Sequence, residues 1–441
     1  MRTYVRVGIA LLSPFRIGGW LSHDDAANQT RTVRDPAEED RPFVPSTGLV
    51  GSLRAHADDK AEELFGPPRG GELKASPWWA LGVRLSDDLT IVQRGQTSIN
   101  RGRRVAASRG YRTSDEVLPA ETGRPDLYLY LSSNRPPATL LEVLATWRPT
   151  IGAGITSGLG DAEVVQVLYK TFETTSPADL LQLVQNGKAG PERIDALLAG
   201  ADELELVKQP PALVLQATLR VEDLLVADRD DPAWRRASLF HGSAWKGILR
   251  SRVTYIARCL GLPCCPVPQG DDGTAEDWTG CGACPVCVVF GSAESGQGCW
   301  AFSCSEQVHD PETVRERHRT AIDRFTGGYR SGALFPEQTL PSHELTLTVH
   351  WARKPDLGEP DISWVPRALL RALGDLNDGI IGLGGRTGSG LGRVSVRELE
   401  LGVEAEHGPD GEPICIIPGL PIGPADTPLI NKLAVKEPAD A

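Results

Sequence analysis

Six of the nine cysteines in this chain lie within residues 259–287, and three of them are separated by two residues each. Thiolates at this spacing are typical ligands of tetrahedral zinc, with a fourth ligand about fifteen to twenty residues away. A disulfide framework would instead spread its cysteines through a small secreted domain. Because four thiolates leave no open coordination position, we expect a structural zinc ion. The predicted ligands are Cys281, Cys284, Cys287 and either Cys264 or Cys265, with Cys259 as an alternative.

A glycine-rich segment covers residues 384–392 and reads GGRTGSGLG. Glycine lets backbone N–H groups approach a phosphate closely, and a tight structural turn is the alternative interpretation. The segment lacks the Gly-Lys-Ser/Thr sequence of an ATP-binding P-loop. It also precedes a strand, whereas a dinucleotide fingerprint opens a helix. The candidate binding residues are Arg386, Gly388, Ser389 and Gly390.

A helix is predicted to begin near Ser243. A hydroxyl, a helix N-terminus and following cations together suit a phosphate. A helix cap with a solvated basic face is the alternative. The candidates are Ser243, Lys246 and Arg250, with Ser46, Thr47 and Arg54 in a similar earlier stretch, where Val50 replaces the lysine.

Residues 94–112 carry six arginines and no acid, although the whole chain has a net charge of −12. The acidic total argues against nonspecific nucleic-acid binding, so we expect basic surface to be confined to one face. The segment could follow an RNA backbone or stack guanidinium groups on bases, and a solvated loop is the alternative. Its candidate binding residues are Arg101, Arg103 and Arg104.

Three blocks of sequence recur in the same order, which indicates two copies of one module. The spacing between copies grows after the first block, where the second copy carries the cysteine-rich segment. The matched blocks are 44–54 with 240–250, 98–119 with 321–341, and 156–164 with 388–396. The predicted organisation is a first domain at 1–165, a helical connector at 166–209, a second domain at 210–400 with a zinc loop at about 259–290, and an extended tail at 401–441.

Each copy reads as strand, helix, strands, helix and strand. This is the order of a ferredoxin-like or RRM-like βαββαβ unit, so we predict an α+β fold with two tandem domains. No apolar run reaches the ~18–20 residues that cross a membrane. Alternation at Tyr4–Ile9 favours a strand over a signal peptide. We therefore expect a cytoplasmic protein without a membrane partner.

Four motifs carry a family resemblance that is strong in the second copy and thinner in the first. They are FHGSAWKGILRSR, CPVCVVFGSA, AIDRFTGGYRSGALFPEQTLP and GGRTGSGLGRVSV. These motifs resemble the Gly-Ser-Ser-Leu-Lys-Gly stretch, the Cys-Pro segment, the hairpin and the terminal glycine-rich loop of the CRISPR-associated RAMP superfamily. The resemblance is to type III effector backbone subunits, and fused copies with zinc loops resemble type III-D and III-E members.

The resemblance implies an RRM-like core that holds CRISPR RNA (crRNA) along one face. It also implies a protruding hairpin that splays the guide–target duplex. In that hairpin it makes Arg324 and its counterpart Arg101 RNA contacts, and Phe325 a base wedge. The implied partners are crRNA, target RNA and other CRISPR effector subunits, which stack into a filament.

Some members of this family cleave target RNA through an acid in the loop after the first strand. The resemblance therefore implies a candidate endoribonuclease, for which a divalent metal such as Mg could assist. Counting back from Val44 lands near Gln29 and Thr30, which are not acids. Loop carboxylates are commonly just solvated, which is the alternative interpretation. The candidate acids are Asp24, Asp25 and, in the second copy, Asp228 with Asp230 and Asp231.

Three other functions compete with this interpretation. A non-catalytic structural or filament-capping subunit would bind RNA without acid-dependent cleavage. A free-standing crRNA-processing endoribonuclease is less favoured, because no histidine-based site stands out. An unrelated zinc hydrolase is least favoured, because four thiolates leave no position for water.

Overall fold

A computed structural model of the chain shows two compact units. The first comprises Met1–Thr97, Tyr111–Ile155 and Leu159–Pro210, and the second comprises Ser98–Gly110, Thr156–Gly158 and Pro211–Ala441. The residues that the structure describes are 1–18, 29–38, 41–67, 74–100, 105–120, 125–185, 190–208, 210–226, 242–266, 280–306, 313–355, 358–402, 404–407, 413–417, 420–421 and 433.

The first half of the chain opens with a strand whose alternate residues Val5, Val7 and Ile9 are fully buried. This alternation is expected of a sheet with one face on a core. The main sheet has the strand order β3-β6-β1-β7-β8 and is antiparallel throughout. In chain order the elements are β1 (Arg2–Leu11), β2 (Gln29–Thr30), α1 (Ser46–Ala57), α2 (Ala61–Phe65), β3 (Trp78–Leu85), β4 (Thr90–Asn100), β5 (Val105–Leu118), β6 (Leu127–Ser133), α3 (Ala138–Thr146), β7 (Ala162–Phe172), α4 (Pro177–Gln185), α5 (Gly190–Leu197) and β8 (Asp202–Glu203).

The second half of the chain has a main sheet of order β10-β12-β9-β13, with β11 paired to β12. The last three strands form a small separate sheet. Within the described ranges, none of the helices combines the length and apolar character that a membrane crossing requires. The elements are β9 (Leu213–Val226), α6 (Gly242–Cys259), α7 (Pro285–Phe290), β10 (Trp300–Glu306), β11 (Arg315–Ile322), β12 (Tyr329–Trp351), α8 (Val365–Asn377), β13 (Arg393–Leu401), β14 (Glu404–His407), β15 (Pro413–Ile417) and β16 (Leu420–Pro421).

The two main sheets share one topology. β1 lies between β6 and β7, and β9 lies between β12 and β13. In the second unit, α6 and α8 bury Trp245, Leu249, Leu369 and Leu373 in the core of their sheet. Antiparallel sheets with this order and two packed helices are ferredoxin-like. The predicted α+β fold is therefore confirmed.

The two glycine-rich blocks close in the same way. Leu383 N donates to Gly392 O at 2.9 Å, and Ile151 N donates to Gly160 O at 2.8 Å. Gly392 and Gly160 have φ of 65° and 69°, and an added Cβ would lie 1.8 Å from Leu383 O and 2.0 Å from Ile151 O. Only glycine fits either turn without backbone movement.

The hairpin formed by β11 and β12 extends beyond the second sheet. β12 pairs with β9 as far as Gln338, which lies opposite Val226. Residues 329–337 extend past the end of β9, and the strand that pairs with them is β11. At about 3.3 Å per residue, this ribbon projects by about 30 Å. The hairpin therefore reaches well away from the core.

Candidate nucleic-acid interface and metal centre

The four sulfur atoms of Cys265, Cys281, Cys284 and Cys287 lie within 4.8 Å of one another. Cys265 follows α6, and the other three precede or open α7. Sγ of Cys265 lies 3.8, 3.6 and 3.3 Å from the three other sulfur atoms. Zn–S bonds of about 2.3 Å in a tetrahedron require sulfur separations of about 3.8 Å. The cluster could therefore hold a metal such as zinc.

Hydrogen bonds between the thiols of this cluster shift the pKa values of Cys284 and Cys287 in opposite directions. Hydrogen bonds with Cys265 and Cys284 lower the pKa of Cys287, and the charge of Arg250 adds to this shift. The pKa of Cys284 is raised, mainly by its hydrogen bond with Cys265. Because a metal ion competes with protons for thiolates, binding it would release the shared protons.

Two cysteines that the sequence offers as the fourth ligand lie outside the cluster. Sγ of Cys264 points to the Thr254 carbonyl at 3.9 Å, and burial raises the pKa of the Cys264 thiol. Cys259 is exposed at the end of α6. Neighbouring residues of extended chain point in opposite directions, so only one of Cys264 and Cys265 can face the other thiols. In this structure, that residue is Cys265.

Arg250 occupies a different environment from the predicted phosphate contact. The residue is only 8% exposed. Its Nη1 donates to the Gly291 carbonyl at 2.5 Å, and its Nη2 lies 3.3 Å from Sγ of Cys287. On α6 it directly follows the buried Leu249, so the helix turns it into the core. Arg250 therefore contacts the thiolate cluster, and its predicted contact with a phosphate stays a prediction.

The other two candidates of this helix, Ser243 and Lys246, lie in its first turns. Nζ of Lys246 donates to Oγ1 of Thr156, which belongs to the same unit, at 2.6 Å. Burial, followed by the charge of Arg250 one turn away, lowers the pKa of Lys246 to about 8. An ammonium group has three donors, so Lys246 can donate to a phosphate while it contacts Thr156.

The counterparts in the first unit lie on α1. Ser46 is its first residue and Thr47 is exposed, while the preceding Pro45 supplies no side-chain cap. Nη1 of Arg54 donates to the Phe65 carbonyl at 3.4 Å. The first unit thus presents hydroxyl groups at this helix start, with its arginine turned to the neighbouring α2.

The tip of the β11–β12 hairpin is a hydrogen-bonded loop that displays an aromatic ring. Oδ1 of Asp323 accepts from the backbone N–H of Thr326 at 2.9 Å and of Phe325 at 3.0 Å, and these bonds lower the pKa of Asp323. The side chain of Phe325 is 100% exposed, and Arg324 beside it is also exposed. A bare aromatic ring on a tight turn is suited to stacking on a base.

One face of the hairpin ribbon is basic. Arg315, Arg317 and Arg319 alternate along β11, so they share one side of the ribbon. Arg317 pairs with Asp223 at 2.5 Å. Glu316 belongs to the opposite side. Through Arg317, the arginine-bearing side contacts Asp223 near the end of β9.

The glycine-rich loop is exposed over residues 384–390. Its short turn at Thr387–Ser389 follows Arg386, which adopts a left-handed conformation with φ of 57°. Gly392 N donates to the Asp223 carbonyl at 3.1 Å. Because the carboxylate of Asp223 pairs with the hairpin, this one residue of β9 anchors both the loop and the hairpin.

A buried acid that the sequence analysis does not single out also connects the two motifs. Glu337 of β12 is 4% exposed. Its Oε1 lies 2.6 Å from Nη1 of Arg386, and its Oε2 contacts Nε of Arg319. A carboxylate at an inward position of a strand needs cationic partners. Strand alternation in the sequence could therefore have identified Glu337 as a paired acid. Arg319 joins the candidate binding residues.

Comparison with protein families matches residues 233–395 to the RAMP superfamily. Residues 233–395 are a RAMP domain. The matched span includes α6, the four clustered cysteines, the hairpin and the glycine-rich loop. No curated protein matches the chain. The RAMP domain supports an RNA-binding role in a CRISPR effector.

The hairpin and the glycine-rich loop meet at the base of the hairpin, where Arg386 contacts Glu337. Arg324 and Phe325 lie at the hairpin tip, about 30 Å away, and the cysteine cluster lies against α6 and α7. Eight predicted residues lie outside the described ranges, namely Arg101, Arg103, Arg104, Asp24, Asp25, Asp228, Asp230 and Asp231.

Proposed function

We propose that this protein is a crRNA-binding backbone subunit of a type III CRISPR effector, and that its RAMP domain holds the guide–target duplex. The observation that carries the proposal is the fully exposed Phe325 at the end of a hairpin whose base combines arginines with an exposed glycine-rich loop. Aromatic rings stack on bases, and arginine side chains and exposed backbone N–H groups bind phosphates. One surface thus offers both contacts that a single RNA strand requires.

In this proposal, the two ends of the hairpin contact different parts of the RNA. The tip lies about 30 Å from the sheet, which suits a wedge between bases of a duplex. The base carries Arg315, Arg317, Arg319 and Arg386, which suit the backbone of the guide strand. Lys246, Ser243, Gly388, Ser389 and Gly390 supply further phosphate contacts in this proposal.

The proposed metal is zinc, bound by Cys265, Cys281, Cys284 and Cys287. Its role is structural, because all four positions around it are thiolates. These residues would join the segment after α6 to the start of α7 around the ion, and Arg250 would offset part of the negative charge of the four thiolates. It contributes to the RNA interface only by holding the helix that carries Lys246.

The proposal includes a tandem arrangement with domains at 1–165 and 210–400, a connector at 166–209 and a tail at 401–441. The shared sheet order and the matching turns at Gly160 and Gly392 support it. In this arrangement Ser46 and Thr47 are the first domain's phosphate contacts. Its further proposed RNA contacts are Arg101, Arg103 and Arg104, which lie between β4 and β5 in the sequence.

Target cleavage is the finer part of the proposal. It would use Asp24 and Asp25, or Asp228, with a divalent metal such as Mg as the cofactor of cleavage. A non-catalytic or filament-capping subunit uses the same RNA interface, so the two versions differ only in the acids. Other effector subunits and target RNA are the proposed partners in both versions.

The experiment that tests this function is expression of the full chain with its neighbouring effector subunits, followed by sequencing of the RNA that copurifies. The proposal predicts RNA with repeat-derived ends. Recovery of the complex without such RNA would contradict it. A double Asp24→Ala and Asp25→Ala variant then separates the two versions, because lost target cuts with retained guide RNA identify a nuclease. Unchanged cuts would move the activity to Asp228 or to another subunit.

A further inference from the structure

Glu337 holds together two arginines from different motifs. In the β11–β12 register it stands opposite Arg317, yet its oxygens contact Arg319 and Arg386. Among the described residues, neither oxygen makes a hydrogen bond of good geometry. Charge attraction therefore dominates this contact. Buried ion pairs of this kind contribute little net stability, so a role in the binding surface is the better explanation.

The backbone around this cluster is strained on both sides. Arg386 has a φ of 57°, and Asp223, which pairs with Arg317, has a φ of 48°. In the described part of the chain, three non-glycine residues have a positive φ, and two of them lie here. Such conformations are unfavourable for L residues and concentrate at binding sites.

The two arginines remain partly open to solvent although their partner is buried. The side chains of Arg386 and Arg319 are 45% and 33% exposed, while that of Glu337 is 3% exposed. A guanidinium has five N–H donors in a rigid plane. Glu337 contacts Nη1 of Arg386 and Nε of Arg319, and the other guanidinium nitrogens of these two partly exposed arginines can donate to a ligand.

We propose that Glu337 is the positioning residue of a two-arginine clamp, Arg319 and Arg386, that takes one phosphate of an RNA backbone where the hairpin meets the glycine-rich loop. The proposal rests on the RNA binding proposed above and adds one defined contact to it. Two guanidinium charges and one carboxylate leave a single positive charge, which one phosphodiester neutralises. Bidentate recognition of phosphate is the geometry for which arginine is best suited.

Charge alone predicts the opposite effect of removing the acid. Glu337→Gln makes the surface more positive, so simple electrostatics would strengthen RNA binding. A positioning role predicts weaker binding, because the arginines lose the partner that orients them. Glu316→Gln is the matched control, since it removes the same charge from the other side of the same ribbon, where Glu316 pairs with His318 at 3.2 Å.

The test measures binding of a fluorescent single-stranded RNA to the full-length chain by anisotropy over a series of salt concentrations. We expect Glu337→Gln to weaken binding by about fivefold to tenfold. Its plot of log affinity against log salt should become shallower by about 0.7, the loss of one phosphate contact. Glu316→Gln should bind as tightly as wild type or more tightly, with an unchanged slope. Tighter binding by both variants overturns the clamp while leaving RNA binding intact.

A double-mutant cycle separates positioning from misfolding. Arg386→Ala should weaken binding, and adding Glu337→Gln to it should cause little further loss, because both changes remove one contact. Additive losses, or unchanged binding by Arg386→Ala alone, overturn the proposal. If the wild-type chain binds no RNA at low salt, the proposed function itself fails and the clamp fails with it.

Discussion

Nη1 of Arg386 lies 2.6 Å from Oε1 of Glu337, and this pair joins a glycine-rich loop to a hairpin that is distant in sequence. The contact explains why an arginine occupies a left-handed position in a turn otherwise rich in glycine. Asp223 makes a second connection between the same two motifs. The loop and the hairpin are therefore one surface, and their variants should act together.

Replacing individual cysteines should separate the metal ligands from their neighbours. We expect the purified chain to contain about one zinc ion, which Cys265→Ser or Cys284→Ser should remove. Cys264→Ser should retain it, because that thiol points to the Thr254 carbonyl. Elemental analysis and thermal unfolding with and without a chelator measure both effects. Loss of zinc from Cys264→Ser but not from Cys265→Ser would contradict the assigned ligand set.

Removing the exposed aromatic ring should affect RNA binding without affecting stability. Phe325→Ala should leave the unfolding midpoint unchanged, because the ring is fully exposed. RNA binding should weaken by about 1–3 kcal/mol, the contribution of one base stacked on an aromatic ring. Tyr255→Ala, which removes an exposed aromatic residue from α6, is the control and should bind normally. Equal losses from both variants would argue against a stacking role for the hairpin tip.

RNA binding through Lys246 should depend on pH. The pKa of Lys246 is lowered to about 8, so its ammonium is mostly charged at about pH 7 and mostly neutral at about pH 9. A charge-assisted hydrogen bond contributes about 1.5 kcal/mol, so affinity should fall about tenfold over this range. Lys246→Arg stays charged and should show little pH dependence. A similar fall in Lys246→Arg would assign the titration to another group.

The glycine-rich turn should tolerate substitution at one position and not at another. Gly392→Ala should lower the free energy of unfolding by about 2 kcal/mol or more, because φ is 65° and the new Cβ would meet Leu383 O. An added Cβ at Gly388 meets nothing within 4 Å, so Gly388→Ala is the matched control for stability. Denaturant unfolding monitored by circular dichroism compares the two. Equal stability of both variants would show that the turn relaxes.

Local patterns in the sequence predict the elements and three of the four clustered cysteines. The spacing of Cys281, Cys284 and Cys287 is a local property, so it indicates directly that these thiols lie together. The choice between Cys264 and Cys265 depends on which side of the chain faces the cluster, which spacing cannot decide.

Long-range contacts account for what sequence analysis misses. The sequence does not reveal the contact between Arg250 and Cys287, because the two residues are 37 positions apart. Arg319 and Glu337 become significant only when β12 brings them beside Arg386. A single sequence does not show which distant residues form ion pairs. Strand alternation does indicate that Glu337 lies on an inward side of β12.

The most direct test of the proposed RNA interface is ultraviolet crosslinking of bound crRNA to the full-length chain, with the crosslinked residues located by mass spectrometry. We expect crosslinks concentrated at Phe325 on the hairpin tip and in residues 384–390 of the glycine-rich loop. Crosslinks that avoid both segments while crRNA remains bound would contradict the proposed interface.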